Sequence, residues 1–88
     1  MADNNKCRVC GYEYESDEYP WGENENSPSF NICICCGVEF GYGDCFIDPI
    51  RNWRTNWIAK GSEWSKPRFK PHDWDLNKQL AQIPSKYK

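Results

Sequence analysis

Apolar and polar positions follow short alternating runs in the first half of the chain and a helical spacing in the second. Tyr12 and Tyr14 alternate with Glu13 and Glu15, so residues 7–14 read as a tight turn followed by a short strand, with Gly11 free to take the left-handed conformation such a turn needs. Phe30-Asn31-Ile32-Cys33-Ile34 alternates in the same way and predicts a second strand. Between them, residues 16–29 are acidic and rich in turn formers, a loop whose Tyr19 and Trp21 can fold back onto the core. After the bend offered by Gly41 and Gly43 the period changes. Ile50, Trp53, Trp57 and Ile58 share one helical face, Asp48 and Pro49 give a start signal, and Lys60-Gly61 a stop, which predicts a helix over 48–61. Pro67 and Pro71 make 62–72 an extended segment, basic through Lys66, Arg68 and Lys70. Leu76, Leu80 and Ile83 predict a short helix within 73–83 that starts at Asp73 or Asp75 and stops before Pro84, leaving 85–88 as a frayed tail.

Eighty-eight residues make one domain, 1–88, with a core small enough to need a staple. The six cysteines supply one. Cys7-Arg8-Val9-Cys10-Gly11-Tyr12-Glu13-Tyr14 and Cys33-Ile34-Cys35-Cys36-Gly37-Val38-Glu39-Phe40 form an internal repeat of Cys-x-x-Cys-Gly, a bulky apolar residue, Glu and an aromatic. A Cys-x-x-Cys-Gly turn points two thiolates at one place, and two such turns complete a tetrahedron. The expected ligands are therefore Cys7, Cys10, Cys33 and Cys36, holding one structural Zn²⁺ per chain, with iron as the lesser alternative. Cys36 is preferred to Cys35 because it aligns with Cys10 and precedes a glycine. Cys35 and Cys45 are expected to pack as small apolar residues. The fold class is α+β, with short antiparallel strands around two knuckles, then a Trp-rich helix and a short C-terminal helix.

Charge divides the chain. Residues 1–48 carry ten acidic against two basic side chains, and 49–88 carry nine basic against three acidic ones, so each half attracts the other or a distinct partner. Trp53 and Trp57 belong to a core face, whereas Trp21, Trp64 and Trp74 suit either a core or an interface. Residues 60–72 mix cations with aromatics in a way that suits nucleic acid, against an acidic balance with pI about 5.3 that disfavours it. His72 is the only histidine and reads as a surface residue. No phosphate loop, nucleophile with a histidine, or isolated carboxylate pair is present, so no catalytic role is expected. The N-terminus lacks an apolar leader and no run is long enough to span a membrane, which places the chain in the cytoplasm with reduced thiols.

The two Cys-x-x-Cys-Gly turns resemble the knuckles of rubredoxins, which hold one iron in four thiolates and carry electrons. Over nearly its whole length the chain resembles the bacterial cysteine-rich CPCC family of small proteins. The carrying residues are Cys7-x-x-Cys10-Gly11-Tyr12, Tyr19-Pro20-Trp21-Gly22-Glu23, Ser27-Pro28-Ser29-Phe30, residues 32–42 and Asp44. They continue through Arg51-Asn52-Trp53, Trp57-Ile58, Gly61, Trp64, Lys70-Pro71, Trp74-Asp75-Leu76 and Gln79-Leu80. Ile34 stands where the family has Pro. The resemblance implies a zinc ribbon, here rubredoxin-like and covering 6–47, and no particular activity. Together these features suggest a zinc-stabilised protein-binding module of a bacterial cytosol, of a size and charge suited to an immunity protein or antitoxin that binds a basic toxin. The alternatives are a rubredoxin-like iron carrier and a nucleic-acid-binding ribbon.

Overall fold

Each Cys-x-x-Cys-Gly sequence closes on itself through the same three backbone bonds, offset by a constant 26 positions. Cys7 N–H donates to the Tyr12 carbonyl at 3.0 Å, Gly11 to Cys7 at 3.0 Å, and Tyr14 to Asn5 at 2.8 Å. Their counterparts run from Cys33 to Val38 at 2.8 Å, Gly37 to Cys33 at 3.1 Å, and Phe40 to Asn31 at 3.0 Å. Gly11 and Gly37 sit at φ of 83° and 81°, where a side chain would be strained. A computed structural model describes residues 5–15, 18–22, 24 and 26–88. Of the acidic 16–29 loop, residues 16, 17, 23 and 25 lie outside the described residues, as do residues 1–4 of the domain.

The antiparallel strands expected around the knuckles do not form among the described residues, so the α+β ribbon is corrected to a helical fold with two knuckles. Each knuckle retains one bridge, Lys6 with Glu13 and Ile32 with Glu39. Side chains and backbone sign end both ladders. Asn5 Nδ2, not its backbone N–H, donates to the Tyr14 carbonyl at 3.0 Å, and Ser29 Oγ accepts from Asn31 N–H at 3.3 Å. Phe30 has φ of 61°, a left-handed conformation that a strand cannot contain, and Gly41 at φ of 90° turns the second arm away.

Helix α1 spans Ile47–Ala59 and α2 spans Leu76–Leu80. The first starts earlier than expected, with Phe46 in the N-cap place and Asp48 in the first turn. Pro49 lacks an N–H that no first-turn residue needs, so Asp-Pro marks the turn without fixing the boundary. Its other end is as expected: Gly61 at φ of 98° donates to Ile58 and Ser62 donates to Trp57, satisfying the last carbonyls. Asp75 caps α2 by accepting from Asn77 and Lys78 N–H at 2.9 and 3.2 Å, but that helix ends at Leu80, short of the expected 83. Two 3₁₀ turns occupy segments expected to be extended or frayed, Pro67–Phe69 and Ser85–Tyr87.

Sulfur and indole dominate the core. Cys7, Val9, Cys10, Cys33, Cys35, Cys36, Val38, Phe40, Ile50, Trp57, Trp64 and Ile83 are buried. A chain of edge-to-face contacts joins Phe40, Tyr14, Tyr12, Trp64, Trp74 and Trp57, with centroids 4.8 to 6.3 Å apart. The buried face of α1 differs from the expected one. Trp53 and Ile58 are about two-fifths exposed, while Arg54 is half-buried between Ile50 and Trp57. Cys45 is exposed, not packed, and its thiol donates to the Gly41 carbonyl at 3.1 Å. Among the aromatics that suited either role, Trp64 belongs to the core, Trp74 packs against it, and Trp21 donates its indole N–H to buried Asp44 at 2.8 Å.

Candidate metal centre

The two knuckles face one another, so the sulfurs of Cys7, Cys10, Cys33 and Cys36 all lie within 4.8 Å of one another, and all four residues are buried. Cys7 Sγ stands 3.7 Å from Cys36 Sγ, and Cys10 Sγ stands 3.8 Å from Cys33 Sγ. Thiolates placed about 2.3 Å from a tetrahedral ion are about 3.8 Å apart, so the donor set and spacing fit a four-thiolate metal. The four residues brought together are the four that the repeat singles out.

The thiols differ. Burial pushes Cys7 up, and Cys10 and Cys36 well above an ordinary thiol. Cys33 is also desolvated, yet hydrogen bonds from Cys10, Cys36, Cys7 and Tyr14 together hold it well below. Its sulfur further accepts from Cys35 N–H at 3.4 Å. Metal binding requires thiolates, so an ion at this site would have to displace the protons that burial favours.

Cys35 occupies the place in the second knuckle that Val9 occupies in the first, and both are fully buried. Its thiol lies outside the four-sulfur cluster and accepts from Gln79 Nε2 at 3.2 Å.

Sequence reasoning missed the residues that grip the knuckles from behind. A metal-binding turn directs carbonyls outward, and each needs a donor. In the second knuckle Lys66 N–H donates to Ile34 O at 2.9 Å, Ser65 N–H to Cys35 O at 3.0 Å, and Trp53 Nε1 to Cys36 O at 3.0 Å. The equivalent carbonyls of the first knuckle are taken by side chains. Arg54 Nη2 donates to Arg8 O at 3.0 Å, Arg54 Nε to Val9 O at 2.7 Å, and Gln79 Nε2 to Cys10 O at 3.2 Å. Arg54 also holds Tyr87 O at 2.6 Å and Lys88 O at 3.1 Å, which ties the C-terminal turn to the same knuckle. Its guanidinium interacts electrostatically with Cys7, Cys10 and Cys36, which sets a positive charge beside the sulfur cluster. A signal did exist: a basic residue interrupts the apolar face of α1.

Other candidate features lie apart. Within 60–72, Pro67–Phe69 is an exposed turn, with Arg68 5.1 Å from the Phe69 ring and Lys70 5.1 Å from the Trp74 ring. His72 is exposed. No helix among the described residues is long and apolar enough to cross a membrane.

No protein-family model matches the chain, and no solved structure matches it. The chain is similar to two uncharacterized proteins of Bacillus subtilis (strain 168). It is 28% identical to YozI over 81 residues, covering 76% of this chain and 67% of that protein, and 27% identical to YoaQ, covering 76% and 68%. The chain is thus cysteine-rich, similar to these two proteins, and places four cysteines where they could hold a metal ion.

Proposed function

We propose that this chain is a zinc-stabilised protein-binding module, in which Cys7, Cys10, Cys33 and Cys36 hold one Zn²⁺ and the ion staples the fold. The observation that carries the reading is the cluster of four buried sulfurs within 4.8 Å of one another, with 3.7 and 3.8 Å across the two knuckles. A closed site of four thiolates leaves no open position for substrate, which favours a structural role.

The acidic half held in place by the staple exposes several large apolar side chains. Phe30, Ile32, Tyr42 and Phe46 are 60, 50, 80 and 74% exposed, an unusual concentration for a chain this small. Ile32 also lines a groove of about 510 Å³ with Tyr14, Tyr19, Pro20 and Phe40, where Glu18 and Lys66 supply one charge of each sign. Exposed apolar side chains on a half that carries ten acidic against two basic residues suit a basic protein partner, and an immunity protein or antitoxin that blocks a basic toxin in a bacterial cytosol is the specific form we favour.

Elemental analysis and visible spectroscopy of freshly purified protein test the metal. One zinc per colourless chain is expected, while a red protein with reversible one-electron chemistry would replace this reading with the iron carrier. For the partner, an affinity capture on the intact chain is expected to retain a basic protein. Phe30→Glu with Tyr42→Glu should release it, and capture indifferent to both substitutions would overturn the assigned face.

A further inference from the structure

The four ligands are not equally sheltered. Cys7, Cys10 and Cys33 have no exposed surface, whereas Cys36 retains 6%. Cys36 also lines a notch of about 270 Å³ together with Trp53, Asn56, Trp57, Lys60 and Glu63. Both indole N–H groups at the notch are engaged, Trp53 with the Cys36 carbonyl at 3.0 Å and Trp57 with the Glu63 carbonyl at 2.8 Å. The two indoles supply most of the apolar lining, and Lys60 and Glu63 each bring a charged side chain to it. Such a recess admits a small neutral molecule and excludes a bulky one. Behind Cys36 stands another ligand, Cys7, with its sulfur at 3.7 Å.

We propose that Cys36 is an oxidant-accessible modification site that takes a small peroxide through this notch, and that Cys7 resolves the product as a Cys7–Cys36 disulfide that opens the metal site. This rests on the metal reading above. Cys36 thiolate attacks the peroxide: an S–O bond forms, the O–O bond breaks, and sulfur gives two electrons to the departing oxygen, which leaves as hydroxide or alkoxide and is protonated. Cys7 thiolate then attacks the Cys36 sulfur; the S–S bond forms, the S–O bond breaks, and hydroxide leaves to become water. Two thiolates, one peroxide and two protons give one disulfide, one water, and one further water or alcohol. Two of the four ligands are lost in that single event. A dithiol reductant reverses it.

The pairing is specific. Exposed Cys-x-x-Cys pairs would close within a knuckle, as Cys7–Cys10 or Cys33–Cys36, whereas access at Cys36 and the position of Cys7 join the two knuckles. The test uses the full chain in a Cys45→Ser background, which removes the exposed thiol, loaded with zinc and treated with limiting hydrogen peroxide. Zinc release is followed with a chromogenic chelator, and disulfides are mapped by mass spectrometry after alkylation. The expected result is that the Cys7–Cys36 crosslink is the first to form, keeps pace with zinc release, and is reversed by dithiothreitol. A first crosslink within either knuckle or between Cys10 and Cys33 would overturn the proposal. Asn56→Trp, on the exposed rim of the notch, should slow release several-fold, and an unchanged rate would refute the route. A chain that binds no zinc as purified would sink the metal reading and this inference with it. A zinc-loaded chain that oxidises elsewhere would sink the inference alone.

Discussion

At the scale of single residues, Arg54 departs furthest from what the pattern leads one to expect. Its place on α1 between Ile50 and Trp57 belongs to the apolar stripe, yet the side chain turns its fork onto the carbonyls of Arg8, Val9 and Tyr87 and the oxygen of Lys88. Hydrogen bonds from a charged donor are among the stronger ones, and their loss takes that donor from the half-buried carbonyls of Arg8, Val9 and Tyr87. Arg54→Ala is expected to destabilise the zinc-loaded protein by on the order of 3 kcal/mol, measured by urea unfolding. Arg54→Lys should recover only part, since an ammonium cannot present the planar fork. Cys35 and Cys36 make the complementary pair. Cys35→Ser keeps a polar atom facing Gln79 Nε2 and leaves all four sulfurs in place, so it should retain its metal at a cost of about 1 kcal/mol. Cys36→Ser should lose the metal and the fold, and metal retained by Cys36→Ser but lost by Cys35→Ser would reverse the ligand assignment.

At the scale of elements, the knuckles were legible because everything that makes them is local: two cysteines, a glycine that accepts positive φ, and a repeat that reveals the pairing. Helix α1 and the Asp75 cap were legible for the same reason. The strands were misread because alternation in 12–15 and 30–34 reports which side chains face inward, and says nothing of whether a ladder continues; Asn5, Ser29 and the left-handed Phe30 stop it after one bridge. Nor could spacing reveal which distant donors serve the first knuckle's carbonyls, because that pairing spans 45 to 69 residues. The repeat itself yields an unequal prediction. Gly11 and Gly37 share the same backbone conformation, but a methyl group on Gly11 would run into the Gln79 carbonyl of α2, while one on Gly37 would meet Ser65 Cβ at a comfortable 3.7 Å. Gly37→Ala should therefore cost only the strain of positive φ, about 1–2 kcal/mol. Gly11→Ala adds the displacement of α2. The expected signature is a larger loss of stability and an altered Trp74 fluorescence confined to Gly11→Ala, since Trp74 donates to Gln79 Oε1 at 2.7 Å.

At the scale of the whole molecule, the metal site and the core are one object. Five of the twelve buried apolar residues among those described are cysteines, and Val9, Val38 and the Tyr12–Trp64–Trp74 contacts are built directly onto the turns that carry them. The carbonyl grips of Arg54, Trp53 and Gln79 attach both helices and the C-terminal turn to those same turns. Removing the ion leaves mutually repelling or protonated sulfurs at the centre, and no second core exists among the described residues to hold the helices. Binding free energy is then folding free energy. Chelation is expected to abolish helical circular dichroism and the near-ultraviolet signal of the buried tryptophans in a single transition, restored by adding zinc to the reduced protein. Helices that outlast the metal would show instead that the C-terminal half folds by itself. Acid should act in the same direction. The ligands bind metal as thiolates, and burial raises Cys7, Cys10 and Cys36 in the metal-free state, so protons compete more strongly as pH falls. Stability of the loaded protein should therefore decline with falling pH, more steeply than one proton allows, because several thiolates are reprotonated for each ion released. Zinc occupancy measured against pH should lose half its value at the same pH as the helical signal, and a gap between the two curves would separate the staple from the fold.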